Sequence, residues 1–166
     1  MKNKHLKKEL KRIHNTLLMC SNIYANYSVI TKGCALDNLI NDRSSLIRKA
    51  VASQGYGLEN LINDKDWTVR LEVAKQGYGL DKLVNDKDWR VRVTVAERGH
   101  GLDKLINDPD WRVRAEVAKQ GYGLDKLIND PSSYVRREVA RQGYGLDILI
   151  NDKDWYVRSI ALNQWL

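Results

Sequence analysis

An arginine recurs every 22 residues along most of the chain, and an aspartate recurs with it at the same period. The arginines are Arg48, Arg70, Arg92, Arg114, Arg136 and Arg158. Six guanidinium groups in one column suggest a ladder of phosphate contacts, whereas carboxylates that repeat with them suggest ion pairs within the protein. By helical angle Arg70 lies between Val69 and Ala74, on the packed side of its helix. The sequence therefore favours structural ion pairs, each to an aspartate of the same or the next repeat.

Groups typical of catalysis are scattered along the chain. The histidines are His5, His14 and His100, and His100 replaces a tyrosine that the other copies carry in a turn. The motifs of zinc proteases, phosphate loops and nucleophile elbows are missing from the sequence. The sequence therefore predicts a protein that is not an enzyme and that uses no cofactor, no metal and no small-molecule substrate.

Positions that vary between the copies are the candidates for binding a partner, because the invariant positions serve the framework. They are the second, fifth, sixth and ninth residues of each long helix, which form one strip on the side opposite Val69 and Val73. The strip holds a basic and aromatic band of candidate partner-binding residues, namely Arg90, Arg112, Lys119, Tyr134, Arg137, Arg141 and Tyr156. Such residues anchor protein interfaces, and they also suit phosphate contact with base stacking. The alternative is a solvated face on which Glu72, Glu116 and Glu138 form local ion pairs.

A strict 22-residue repeat positions these side chains. Its six copies, here units one to six, occupy 33–54, 55–76, 77–98, 99–120, 121–142 and 143–164. A fixed period of this size is typical of a solenoid, in which each unit packs only on its neighbours. In each unit we expect a short helix and a long helix, and in unit three these cover 80–85 and 89–98.

Glycines and capping residues mark the ends of these helices. Gly77 is expected to end the preceding helix in a left-handed conformation, and Gly79 to loosen the loop. Asp88 is expected to cap the long helix by accepting from free backbone N–H groups, with Ser44 and Ser132 in the same role in units one and five.

A tryptophan begins the long helix in four units. The residues are Trp67, Trp89, Trp111 and Trp155, and the pattern predicts an inter-unit packing ladder. Ser45 and Ser133 replace tryptophan in units one and five, which leaves room for a gap or a site there.

The net charge of +7 is concentrated at one end of the chain, because 1–32 contribute +6 of it. The repeat body is therefore nearly neutral. Residues 1–32 are predicted to form a basic amphipathic helix and a degenerate capping repeat, with the solenoid at 33–166. In one interpretation the helix only covers the end of the stack, and its lysines remain in water. In a second, the lysines bind nucleic acid or another anionic surface. In a third, the helix binds a partner. The candidate anion contacts are Lys4, Lys7, Lys8, Lys11 and Arg12.

The chain contains neither an apolar run of about 18 residues nor a secretory signal pattern, so no contact with a membrane is expected. Cys20 and Cys34 are too few for a disulfide scaffold, which favours a cytoplasmic location. The C-terminal residues Ile160, Leu162, Trp165 and Leu166 are apolar where a solenoid cap is usually polar. Either a last helical turn folds over this surface or it forms a homodimer contact.

The signature L-x-x-L-I-N-D-x-D-W-x-V-R-x-x-V-A resembles the leucine-rich repeat variant and the HEAT-like, armadillo-type repeats. The resemblance implies an all-α, right-handed α-solenoid whose second helices line the inner face.

We therefore expect a non-enzymatic scaffold that binds a protein along the variable face of its second helices. It would act as an adaptor or as an inhibitor, and a bacterial or phage defence system is one setting for such an inhibitor. The alternative is a HEAT-like protein that binds nucleic acid through its basic N-terminus and the arginine and tyrosine band.

Overall fold

The structure, a computed structural model, describes residues 34–165, and all regular structure in this part of the chain is helical. The short helices are Cys34–Leu39, Leu58–Leu61, Leu80–Leu83, Leu102–Leu105, Leu124–Leu127 and Leu146–Leu149. The long helices are Ser45–Ser53, Trp67–Lys75, Trp89–Glu97, Trp111–Lys119, Ser133–Arg141 and Trp155–Trp165. One short and one long helix recur in each unit, which confirms the predicted solenoid of helix pairs. The predicted N-terminal helix and capping repeat lie outside the described residues.

Successive long helices pack directly against one another and form the core. Val69, Val73 and Ala74 are fully buried in unit two, and their counterparts in units three to five are equally buried. One leucine of each short helix in units two to six, such as Leu83, is buried and closes the core from the other side. No helix of the described part is long and apolar enough to cross a membrane.

The predicted capping of the long helices is confirmed where the residue is aspartate. The Asp88 side chain accepts a hydrogen bond from the backbone N–H of Arg90, and the helix begins at the next residue, Trp89. Ser44 and Ser132 have the same extended backbone conformation but make no side-chain capping bond. The capping role predicted for the two serines is therefore wrong, although their position in the fold is correct.

Each long helix of units one to five ends at a glycine in the left-handed region, as predicted. Gly77 has a φ of 76°. Its N–H donates to the carbonyl of Ala74, and the N–H of Tyr78 donates to Val73, which together form a Schellman motif.

The second glycine of the loop does not loosen it. Gly79 has a φ of 61° and sits where a Cβ atom would lie 2.1 Å from Cδ1 of Ile62. Ile62 belongs to the preceding unit, so this glycine allows the close approach of two units. The prediction of a loosening role was therefore wrong, and the reason is an inter-unit contact that no single unit reveals.

Candidate functional site: a cation–π column on the long helices

The recurring arginine is a structural group. Nε and Nη2 of Arg92 donate to the two carboxylate oxygens of Asp108 in the next unit, at 2.6 and 2.9 Å. Nη1 donates to the carbonyl oxygen of Asp86 in its own unit at 2.7 Å. One side chain thus joins the loop of its own unit to the loop of the next. The interpretation as structural ion pairs is confirmed.

The same two-point ion pair recurs at all five junctions between units one and six, and together these pairs form an arginine–aspartate ladder. Its members are Arg48–Asp64, Arg70–Asp86, Arg92–Asp108, Arg114–Asp130 and Arg136–Asp152. In the pair Arg70–Asp86 both side chains are only 5% exposed. A guanidinium held in this way is not available to a phosphate ligand.

The ladder changes the acidity of two aspartates. Burial alone would raise the pKa of Asp64, but hydrogen bonds from Arg48 and from the backbone N–H of Asp66 outweigh it. The pKa of Asp64 therefore lies below its ordinary value of 3.8. The pKa of Asp152 is lowered by the same balance, with Arg136 as the donor. Both carboxylates therefore stay charged in the folded protein at a lower pH than an ordinary aspartate does.

The aspartates of the ladder also position the residues of the candidate site. Oδ1 of Asp86 accepts from the backbone N–H of Asp88 at 2.9 Å, and Asp88 in turn caps the long helix. This fixes the first two helical residues, Trp89 and Arg90, relative to the preceding unit. The repeated pairing thus determines where the variable residues of the helix begin.

Tryptophan and arginine alternate along units two to four. The Arg90 guanidinium lies 4.4 Å from the ring centroid of Trp67 and 4.9 Å from that of Trp89. The Arg112 guanidinium lies 4.4 Å from Trp89 and 5.1 Å from Trp111. Each arginine is therefore sandwiched between its own tryptophan and that of the preceding unit, an arrangement favoured by cation–π attraction.

Tyrosines continue the series into units five and six. The rings of Trp111 and Tyr134 stack with centroids 4.5 Å apart and planes inclined by 24°. The Arg137 guanidinium then lies 4.7 Å from both Tyr134 and Tyr156. Together these residues form one continuous cation–π column, which runs Trp67, Arg90, Trp89, Arg112, Trp111, Tyr134, Arg137 and Tyr156.

Parts of the aromatic rings and guanidinium groups of the column remain exposed to solvent, although their faces stack on one another. Tyr134 is 53% exposed, and the side chains of Arg90 and Arg112 are 42% and 43% exposed. Arg137 is mostly buried, and its Nε is a buried donor without a hydrogen-bond partner in the described part of the chain. The exposed residues Arg90, Arg112 and Tyr134 therefore stack against less exposed neighbours, such as Arg137, whose positions are determined by the packing of the units.

The cations of the column are paired with carboxylates. Arg90 contacts Asp88 at 3.1 Å, and Arg112 contacts Asp110 at 3.0 Å. Arg137 contacts Asp154 of the next unit at 3.2 Å. The column is therefore close to neutral, and it differs in this respect from the basic band that the sequence suggested.

Lys119 and Arg141 do not join the column. They lie at the last positions of their helices and pair with Glu116 and Glu138, and a similar pair joins Lys75 to Glu72. The local ion pairs that the sequence suggested as an alternative are thus present here.

Of the predicted partner-binding residues, the structure brings together Arg90, Arg112, Tyr134, Arg137 and Tyr156. The predicted anion contacts Lys4, Lys7, Lys8, Lys11 and Arg12 lie outside the described residues.

The exposed strip is narrower than predicted. The sixth residue of the long helix is buried in units three and four, where it is Thr94 and Glu116. The fifth residues Leu71, Val93 and Ala115 pack against the core. Neighbouring long helices approach closely along this flank, which helical angles within one unit do not show.

In units one and five the serine that replaces tryptophan lies beside the capping aspartate of the next unit. Hydrogen bonding from Thr68 is the main cause that lowers the pKa of Asp66, and Ser45 adds to it. Ser133 likewise contributes to the lowered pKa of Asp154, after the backbone N–H of Val157 and the side chain of Arg137. The small residue thus brings a hydroxyl group to the capping aspartate of the next unit.

Comparison with known proteins does not extend the assignment beyond a helical repeat. No protein-family model matches the chain, and no curated protein gives a match to it.

Proposed function

We propose that the protein is a non-enzymatic scaffold that binds a partner protein through the cation–π column. The observation that carries the proposal is the continuous run of arginine and aromatic side chains over units two to six, exposed at Arg90, Arg112 and Tyr134. These side chain types dominate the energetics of protein interfaces, and they bind best when they are fixed before binding. Stacking between neighbours fixes them here.

A protein is favoured over nucleic acid because of the charges beside the column. Binding to nucleic acid rests mainly on unpaired cations that replace counterions along the phosphates. Each arginine of the column instead has a carboxylate beside it, and Asp88 and Asp110 cannot move away because they cap helices. These carboxylates would repel the phosphates of a nucleic acid bound along the column.

The framework suits a role as an adaptor or an inhibitor, in keeping with the resemblance to the leucine-rich repeat variant and HEAT-like repeats. A stack of units offers an extended surface with a period fixed by the fold. A protein bound along the column would have part of its own surface covered, and this is sufficient to block or to recruit it.

The test is capture of proteins by the full chain and by two variants. The column variant carries Arg90→Ala, Arg112→Ala and Tyr134→Ala, all at exposed positions. The control variant carries Lys104→Ala, Tyr122→Ala and Lys126→Ala, which remove two cations and one tyrosine from exposed loop and short-helix positions. We expect a protein that the wild type and the control variant capture and the column variant loses, with all three chains still folded at the temperature of the experiment.

Two results would contradict the proposal. One is a column variant that retains every captured protein. The other is binding to random DNA or RNA that the column variant loses and that weakens steeply with salt, since this dependence marks phosphate contacts.

A further inference from the structure

Two arginines of the cation–π column each have an edge whose hydrogen-bond donors are not used within residues 34–165. Nη1 of Arg90 donates to both carboxylate oxygens of Asp88, at 3.3 and 3.1 Å, and Nη1 of Arg112 donates to Asp110 in the same way. Nε and Nη2 of both arginines have no acceptor in this part of the chain. The two side chains are 42% and 43% exposed, so these donors are accessible to a ligand.

The acceptors beside these open edges are already occupied. Oδ1 of Asp88 accepts the backbone N–H of Arg90 as well, and Oδ1 of Asp110 accepts that of Arg112. Each carboxylate also offsets the charge of the arginine that it contacts. The column therefore has open donors, few open acceptors and little net charge. A complementary ligand supplies hydrogen-bond acceptors that carry no charge, and it has few N–H donors of its own.

The open edges recur with the period of the units, and this period limits the geometry of the ligand. The Arg90 guanidinium lies 4.4 and 4.9 Å from the ring centroids of Trp67 and Trp89, so these centroids are at most about 9.5 Å apart. The centroids of Trp89 and Trp111, with Arg112 between them, lie within the same limit. Packed helices are in general about 8–10 Å apart. The donors of the column therefore repeat about every 9 Å.

Among regular backbone conformations, polyproline II matches this repeat. It has three residues per turn and a rise of about 3.1 Å per residue, so equivalent carbonyl groups recur about every 9 Å. Groups on one side of an extended strand recur about every 7 Å, and an α-helix uses most of its carbonyl groups internally. The carbonyl groups of a polyproline II helix make no internal hydrogen bonds and are free to accept.

We infer that the cation–π column binds a proline-rich segment in the polyproline II conformation. Successive turns place carbonyl oxygens on the open edges of Arg90 and Arg112, and a proline ring packs against the exposed part of Tyr134. Proline has no backbone N–H, so the segment supplies acceptors and almost no donors. Aromatic surfaces suit such segments because the ligand helix is formed before binding. The inference rests on the proposed function, since it names the kind of protein segment that the column binds.

The test uses the full chain labelled with ¹⁵N-arginine, and it follows the Nε–Hε signals of Arg90 and Arg112. The probe is an end-capped peptide of twelve prolines, which is about 37 Å long and makes about four turns. We expect both signals to shift in a saturable manner. Because the peptide is uncharged, its affinity should change less than about twofold between about 50 and 500 mM salt.

A peptide control and a protein control separate the helix of the ligand from its composition and the guanidinium edge from its charge. A Gly–Ser peptide of the same length has no preformed helix and should bind at least about tenfold more weakly. Arg112→Lys retains the charge but loses the planar edge, and it should weaken binding of the proline peptide about tenfold. The control variant of the capture experiment, which leaves the column intact, should bind this peptide as the wild type does.

Three results would overturn the inference. In the first, millimolar proline peptide leaves both arginine signals unchanged. In the second, Arg112→Lys leaves the affinity unaltered. In the third, a twelve-residue glutamate peptide or an oligonucleotide shifts the same signals at a lower concentration than the proline peptide does, because the open edges would then select an anion.

Failure of this inference and failure of the proposed function give different results. A protein captured through the column, together with a proline peptide that does not bind, would show that the column binds proteins through another kind of segment. A column variant that retains every captured protein would contradict the proposed function itself, and this inference with it.

Discussion

The guanidinium of Arg112 lies 4.4 Å from the ring centroid of Trp89, although the two residues belong to different units. The equivalent contact joins Arg90 to Trp67. Because both contacts cross a junction, no unit carries the column by itself. The framework that stacks the units therefore also creates the surface that we propose to bind a partner.

Arg136 and Arg158 occupy the same position in adjacent units but should differ in their contribution to stability. Arg136→Met leaves the buried carboxylate of Asp152 without its partner, and we expect the free energy of unfolding to fall by about 3–5 kcal/mol. Arg158→Met removes only hydrogen bonds to carbonyl groups, and we expect a loss of about 1 kcal/mol. Urea unfolding of both variants measures the difference. Equal losses would show that the inter-unit pair contributes nothing beyond the carbonyl contacts.

The lowered pKa values of Asp64 and Asp152 predict loss of stability in acid. The pKa of each carboxylate is lower in the folded than in the unfolded chain, so its contribution is complete above the unfolded pKa and disappears as pH falls through the folded pKa. The free energy of unfolding should therefore decrease below about pH 4.

The matched control for this pH dependence is the double variant Asp64→Asn, Asp152→Asn. It should be less stable than the wild type at neutral pH, and the two curves of unfolding free energy against pH should converge in acid. Curves that remain parallel throughout would exclude these two carboxylates as the cause.

Two glycines of one loop should differ in their tolerance of alanine. Gly121 has open space where a Cβ atom would lie, so Gly121→Ala should lose only the cost of a left-handed conformation, about 1–2 kcal/mol. At Gly123 a Cβ atom would lie 2.1 Å from Cδ1 of Ile106, so Gly123→Ala should cost clearly more. Ile106→Val removes this atom, and it should reduce the additional cost of Gly123→Ala. Thermal unfolding of the single and double variants tests the coupling. An equal effect of Gly123→Ala in both backgrounds would rule out the proposed contact.

Substitution of the residues that precede the long helices should have two different effects on stability, depending on whether the residue is aspartate or serine. Asp110 accepts the backbone N–H of Arg112, and Asp110→Ala should cost about 1 kcal/mol. Ser132 makes no side-chain capping bond, so Ser132→Ala should leave the melting temperature nearly unchanged. If Ser132→Ala is as destabilising as Asp110→Ala, the serine caps its helix in solution.

The architecture could be predicted from the sequence because each unit carries its own local signals. The left-handed glycine at Gly77 and the aspartate cap at Asp88 act within a few residues of their position, so comparison of the units was sufficient. The structural role of Arg70 was also accessible, because an arginine on a packed helix face requires a carboxylate partner.

The candidate site could be predicted only in part, because its contacts cross between units. The sequence suggested Trp89 as an inter-unit packing residue and Arg112 as a partner-binding residue, and it did not show that the two stack on one another. The adjacent Trp–Arg pairs in units three and four were the available signal. What the sequence does not supply is the lateral offset of neighbouring helices, and this offset determines which rings an arginine reaches.

The most direct test of the central claim is photocrosslinking from the column itself. A photoreactive phenylalanine analogue placed at Tyr134 lies in the column, and the same analogue placed at Tyr122 lies in a loop of similar exposure. We predict an adduct with a protein from position 134 that is absent from position 122 and insensitive to nuclease. Adducts only from position 122, or adducts from position 134 that nuclease removes, would contradict the account.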